Sequence, residues 1–288
     1  MAPRLGLGGG VTADPNNNLF DLLLDEYGDD CYGAYSLRKL KRTTTNVCQC
    51  IRDSDSATQD FTSAELTDGA LITTFGASTT ARVKTLYDQS GNGNHATQST
   101  LLECPELATA LSGLLRDSNG LPWMNFHGVE HFIPLSTALP NIDIGSCSSL
   151  VVGKFDSMAG SQQVMFSLGV ASGNKRWYAP TAYSSEFNWG YGDDWDHHQE
   201  TQDTDVHLFT TIAGSTQGNW QPFIDGTSQT SKTLQTGASS GTYGIGGVVD
   251  SNDFPLNGKI QEVLVFDADK SVERTSIEAD ILSYYSLD

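Results

Sequence analysis

From residue 120 onward the chain consists of short β-prone runs, several of them recurring every eight to fifteen residues, and this spacing limits its fold more than any single motif. The runs are 123–126, 131–135, 149–155, 163–168, 206–212, 221–224, 242–245 and 260–266. They are rich in β-branched and aromatic residues and bounded by Gly, Asn, Asp or Ser, the pattern of strands separated by turns. Many short strands at such a spacing predict a β-sandwich. Within Phe223-Ile224-Asp225-Gly226 the Asp-Gly pair marks a hairpin turn, because both residues tolerate a left-handed backbone.

The first half is less regular. Residues 47–52 and 82–87 read as strands, the second ending in the turn-rich Asp88-Gln89-Ser90-Gly91-Asn92-Gly93-Asn94. Residues 19–24 and 33–40 suit a short helix or a strand equally, and 62–75 reads as a small helical or looped excursion. One helix is well marked, at the C-terminus. It begins near Ser271 as N-cap, with Glu273 in its first turn and Ile277, Ile281 and Tyr284 on one stripe. Residues 1–17, glycine-rich and passing through Thr12-Ala13-Asp14-Pro15, read as an extended arm, leaving 18–288 as a single sandwich domain.

Among 288 residues, 35 acidic against 16 basic side chains give a formal charge of −19, which repels phosphate backbones and anionic headgroups. Nucleic acid is therefore not an expected partner. No apolar run reaches the length of a membrane helix, and the start lacks the apolar segment of a signal peptide, so membrane insertion is not expected. The five cysteines are an odd number, so they cannot all pair within one chain, and buried thiols are expected. Cys48-Gln49-Cys50 has the wrong spacing for a zinc knuckle.

The densest polar and aromatic constellation runs from Trp177-Tyr178 through Trp189, Tyr191, Asp193, Asp194 and Trp195 to His197-His198. Indole faces stack on sugar rings and neighbouring carboxylates bind hydroxyls, so these residues form a candidate carbohydrate site. The competing reading, which the sequence favours, is aromatics buried between sheets or in a subunit contact, with the acids facing water. Adjacent histidines on a strand point to opposite faces, so a divalent ion there requires a loop. Asp250-Ser251-Asn252-Asp253 gathers oxygen ligands suited to calcium without the EF-hand register, and a solvated turn fits it better. No other cofactor is expected. His95 has no serine or cysteine nucleophile motif beside it, and its place in the turn-rich segment points to a structural role.

Three stretches carry a resemblance. They are 34–40 (Ala-Tyr-Ser-Leu-Arg-Lys-Leu), 85–98 with its Tyr-Asp-Gln-Ser-Gly-Asn-Gly-Asn core, and 120–128 (Gly-Leu-Pro-Trp-Met-Asn-Phe-His-Gly). Together with the closing 256–266 strand, they resemble both the catalytic domain of family 54 arabinofuranosidases and laminin-G-like virion proteins of tailed, often marine, bacteriophages. Both likenesses imply a concanavalin-type jelly roll. The first implies a retaining pair of carboxylates about 5 Å apart. Asp250, after Gly244-Ile245-Gly246-Gly247, is the nearest match to the family's acid, and Glu186 is the best substitute for its nucleophile. The family's adjacent-cysteine pair and its His-Met-Glu context are absent.

On this balance the expectation is a structural virion protein of a tailed phage rather than an enzyme: a capsid decoration protein, head fibre or tail adhesin at the particle surface. Its arm would bind other virion proteins, it would oligomerise as a trimer, and its sandwich would touch a host glycan. The alternatives are a carbohydrate-binding module outside a virion and an arabinofuranosidase-like hydrolase.

Overall fold

The structure is a computed structural model that describes residues 22–129, 131–135, 142–143, 147–157, 162–168, 177–183, 186–191, 194–198, 203–213, 219–229, 232–233, 238–239, 243–248 and 254–287. The expected arm and the boundary at residue 18 lie outside these. Four helices and fifteen principal strands follow in chain order. They are α1 (Leu23–Tyr27), β1 (Cys31–Ser36), β2 (Cys48–Arg52), β3 (Thr58–Phe61), α2 (Ser63–Asp68), α3 (Ala70–Phe75), β4 (Ala81–Leu86), β5 (Glu106–Thr109) and β6 (Met124–His127). Then come β7 (Ser148–Phe155), β8 (Phe166–Leu168), β9 (Trp177–Tyr183), β10 (Glu186–Tyr191), β11 (Asp194–His198), β12 (His207–Ala213), β13 (Asn219–Ile224), β14 (Gly244–Ile245), β15 (Asn257–Phe266) and α4 (Arg274–Tyr285).

The architecture is the expected all-β, jelly-roll-like sandwich of antiparallel sheets with a short C-terminal helix. The larger sheet runs β13-β12-β7-β15-β6-β5-β4-β2-β3, and β1 shares with β6 the edge of β15 that faces away from β7. The smaller runs β11-β10-β9-β8-β14 to Ile133–Pro134. Alternation along β15 sends Val263 and Val265 inward, to pack with Met124, Phe126, Val151, Met165, Phe166, Phe187 and Ile245 between the sheets. Leu264 and Phe266 point outward, where Leu150, Val152 and Leu208 meet Ile277, Ile281 and Tyr285 of α4. Among the described residues no helix is long and apolar enough to cross a membrane.

The ambiguous segments resolve through their end chemistry. Residues 62–75 form two short helices because Thr62 and Glu65 make a reciprocal capping box, and Gly69, at φ 78°, ends α2 and begins α3. The C-terminal helix starts later than expected, at Arg274, and Ser271 is not its cap. Ser148 Oγ accepts from the Lys270 N–H and donates to the Ala268 carbonyl, so this stretch is tied to β7 and a turn must intervene. The third residue of the buried stripe is accordingly Tyr285 rather than Tyr284. Asp225 and Gly226 take φ 48° and 76°, the left-handed pair of the expected hairpin turn. All five cysteines are buried free thiols.

Under α4 lies a buried ion pair. Arg38, itself 7% exposed, forks onto Glu262 of β15 through Nε at 2.7 Å and Nη2 at 3.1 Å, and reaches Asp280 of α4 with Nη1 at 2.8 Å. Ser36 Oγ and Tyr285 Oη also donate to Glu262, at 2.8 and 3.0 Å. Burial lowers the Arg38 pKa, but the Glu262 carboxylate outweighs it and the guanidinium stays charged. Removing one partner of such a pair strands the other in the interior, at a cost of about 3–5 kcal/mol. Glu262→Ala is thus expected to lower the urea midpoint sharply with an unchanged m-value, whereas Asp55→Ala, which removes an exposed partner of Arg52, should cost less than about 1 kcal/mol.

Candidate functional site

The turn-rich segment after β4 is a structural knot. Asp88 Oδ1 accepts from the backbone N–H of Ala34 (3.0 Å) and Ser90 (2.9 Å), and Oδ2 accepts from Ser90 Oγ (2.8 Å) and the Asn94 N–H (3.0 Å). Gln89 Oε1 accepts from the Leu40 N–H at 2.8 Å, while Nε2 donates to the carbonyls of Ser36 and Arg38 at 3.0 and 2.9 Å. His95 Nδ1 accepts from the Asp88 N–H at 3.0 Å, the structural role expected of it. These bonds clamp the segment to β1, and they leave an open cleft of about 410 Å³ lined by residues that include Thr43–Asn46, Tyr87 and His95.

Two histidine clusters were not legible in the sequence, because their members come from separate strands. On the outer face of the larger sheet, His127 Nε2 lies 2.7 Å from Glu106 Oε2 and 2.9 Å from Asn125 Nδ2, with the His131 ring 5.1 Å away edge-on. Arg82 pairs with Asp53 at 2.8 Å and with Glu106 at 3.4 Å. Burial, with help from Arg82 and His127, pushes His131 down to about 4. In the second cluster His207 sits between Asp225 (Nδ1, 2.5 Å) and Asp203 (Nε2, 2.8 Å). Burial lowers its pKa, but the two carboxylates prevail and hold it at about 9. Among the described residues no three His, Cys, Asp or Glu side chains converge on a metal position.

The residues singled out from sequence fall mainly on the smaller sheet. Glu186 opens β10 opposite Tyr183, Trp177 of β9 pairs with Tyr191 of β10, and Tyr191 pairs with Asp194 of β11. Gly190 pairs with Trp195, and Trp189 with Asp196. The register thus brings Trp177, Tyr191 and Asp194 into one row. Asp193 and Asp250 lie outside the described residues. Along β10, Trp189 and Tyr191 have the parity of Phe187, which is buried against Phe155 and Phe209, while Glu186 and Asn188 have the opposite parity.

The strand carrying Gly244-Ile245 is separated from β10 by β8 and β9, roughly 14 Å at the usual strand spacing. Val248 and Phe254, which flank 249–253, both pack on Val164, and Val164 pairs with Thr181 across from Asn188. Val248 and Phe254 therefore lie at the end of the smaller sheet where β10 begins. Within the glycine stretch, Gly246 has φ 88°, and a Cβ there would overlap the Phe126 ring. Gly246→Ala is expected to destabilise by about 1–3 kcal/mol, read as a lower melting temperature.

The histidines make a second prediction, with opposite signs. The folded pKa of His131 lies below the unfolded value of about 6.5, so its contribution is present above pH 6.5 and fades as pH falls towards 4. That of His207 lies above it, so its contribution is present below pH 6.5 and fades as pH rises through 9. Denaturation across pH 4–9 is expected to show both losses, the acid one reduced in His131→Gln and the alkaline one in His207→Gln.

A family model described as alpha-L-arabinofuranosidase B, catalytic, matches residues 23–111, roughly a third of the chain. No curated protein matches in sequence. An arabinofuranosidase complexed with arabinofuranosyl-α-1,2-xylobiose superposes with a TM-score of 0.63 at 16% identity, over 90% of this chain and 64% of that one. A GH54 α-L-arabinofuranosidase soaked with a cyclic sulfate inhibitor gives 0.60 at 16% identity, with the same coverage. The Trypanosoma rangeli sialidase in complex with sialic acid gives 0.50 at 10% identity, over 71% and 31% of the two chains. The chain thus spans somewhat under two thirds of the arabinofuranosidases, and at such identities the likeness is one of fold.

These findings overturn the expectation of a non-enzymatic virion component. What matches is the catalytic domain of arabinofuranosidases, in part of the sequence and in fold, and nothing supports the phage or laminin-G assignment. The reason lies in the motif that suggested both groups: Tyr87-to-His95 is a fold-forming knot, so its presence says nothing about a particle. What the chain is similar to is the catalytic domain of the family 54 arabinofuranosidases.

Proposed function

We propose that this chain is an arabinofuranosidase-like glycoside hydrolase domain acting on α-L-arabinofuranosides. The observation that carries the reading is the match of the arabinofuranosidase catalytic-domain model to residues 23–111, and the shared fold over 90% of the chain supports it. The carboxylates assigned to the chemistry are Glu186 as nucleophile and Asp250 as general acid. In a retaining mechanism Glu186 attacks the anomeric carbon while Asp250 gives its proton to the departing oxygen. A water deprotonated by Asp250 then cleaves the glycosyl ester and restores both groups. Favouring the assignment of Glu186, it has the strand parity opposite to buried Phe187 on β10, while Asp250 is assigned from its place after the Gly244-to-Gly247 stretch in the sequence. Against the family pattern stand the missing adjacent cysteines and His-Met-Glu context, so the pair is set by position alone.

The test is turnover of 4-nitrophenyl α-L-arabinofuranoside. Release of nitrophenol is expected from the unmodified chain, with kcat reduced about 10²–10⁴-fold in both Glu186→Gln and Asp250→Asn. No release by the unmodified folded protein would sink the hydrolase reading, and release unchanged in both variants would sink these two assignments. A glycan-binding role without cleavage is the second reading, favoured by Trp195, which pairs with Gly190 and so shares the strand parity of Glu186. For it, retained binding of arabinofuranosyl-α-1,2-xylobiose by a chain without turnover is the required result.

A further inference from the structure

We infer that the cleft beside the Tyr87–His95 knot is a second saccharide site, separate from the carboxylates of the smaller sheet. It takes a neutral, hydroxyl-rich ligand. The cleft, of about 410 Å³, falls within the size range of small-ligand sites. Its floor is rigid, since Asp88 and Gln89, 9% and 2% exposed, spend their side chains on the backbone of Ala34, Ser36, Arg38, Leu40, Ser90 and Asn94. A preformed floor spares a ligand the entropy of ordering the site.

The lining selects the ligand class. The ionic groups beside the cleft are held in hydrogen bonds. Asp88 accepts four hydrogen bonds, Lys41 Nζ on the rim donates to the Ser90 carbonyl at 2.7 Å, and Asp60 accepts from Tyr87 Oη at 2.8 Å and Gln49 Nε2 at 2.9 Å. Because His95 Nδ1 is an acceptor, the neutral ring carries its proton on Nε2, a donor that the knot does not use. The hydroxyls of Thr43, Thr44 and Thr45 can donate and accept, as can the Asn46 amide, and Tyr87 packs edge-on against His95 at 5.2 Å to form an aromatic wall. Mixed uncharged donors and acceptors beside an aromatic wall suit sugar hydroxyls and the C–H face of a sugar ring better than an ion or a lipid.

The experiment titrates the full chain with arabinofuranosyl-α-1,2-xylobiose, with xylotriose and, as an anion control, with sodium sulfate, following the amides of residues 43–46 and the His95 ring by NMR. Saturable shifts with either oligosaccharide, at a Kd of about 1 mM or tighter, are expected. A Thr43→Val, Thr45→Val double variant should weaken that binding at least tenfold while melting temperature and nitrophenyl arabinofuranoside turnover stay unchanged. The inference is overturned if neither oligosaccharide moves these signals, if sulfate alone does, or if the valine variant binds as before. Turnover is read separately, so failure of the hydrolase reading leaves this result independent.

Discussion

The buried fork between Arg38 and Glu262 organises much of the fold, because β15 is the strand on which the larger sheet is assembled. That strand is flanked by β7 along one edge and by β1 and β6 along the other. A carboxylate at Glu262 faces away from the inter-sheet core, where it must be covered and neutralised together. Arg38 neutralises it, Ser36 and Tyr285 fill its remaining hydrogen-bonding positions, and Asp280 extends the network into α4. The Tyr284 ring closes over the guanidinium, 4.6 Å from its centroid. Hydrophobic contact alone would let α4 slide along the sheet; the fork fixes its register.

The knot at Asp88 does for the other edge of β1 what the fork does under α4. Its carboxylate holds backbone donors that lie 54 residues away in sequence, at Ala34, and two and six residues away, at Ser90 and Asn94. Gln89 then fixes 36–40, including the turn from which Arg38 reaches Glu262. The two buried networks are therefore mechanically joined through a five-residue segment. This is why a conspicuous polar motif can mark a fold without marking a reaction: its polar atoms are consumed by the backbone, and what it exposes is only the wall of a cleft.

How far the sequence revealed these features depended on whether the deciding contacts were local. Strand runs such as 149–155 and 260–266, and the Asp225-Gly226 turn, are set by side-chain alternation and by dihedral tolerance, so they were legible. The start of α4 was misplaced because the deciding bond comes from Ser148, 122 residues away. Of the site, the aromatic and acidic content of β9 to β11 was legible, but the pairing of Trp177 with Tyr191 and of Tyr191 with Asp194 required the register. The clusters around His127 and His207 were not, since no local pattern announces that Glu106 and His127, or His207 and Asp225, will be neighbours.

The same accounting separates the faces of the sandwich by what they have left to offer a ligand. On the larger sheet the outer face is largely committed: α4 covers Leu150, Val152, Leu208, Leu264 and Phe266, and beyond it Lys259 pairs with Asp156, Arg82 with Asp53, and His127 with Glu106. Groups already paired with one another must lose those partners before they can bind anything else, so this face is a poor place for chemistry. The inter-sheet side is closed by packing. Among the described residues there remain the parity of β10 opposite Phe187, which Glu186 shares, and the rim of the knot with its unspent hydroxyls. A nucleophilic carboxylate must reach the sugar from a face that packing has not closed, and on β10 strand parity separates Glu186 from the buried Phe187.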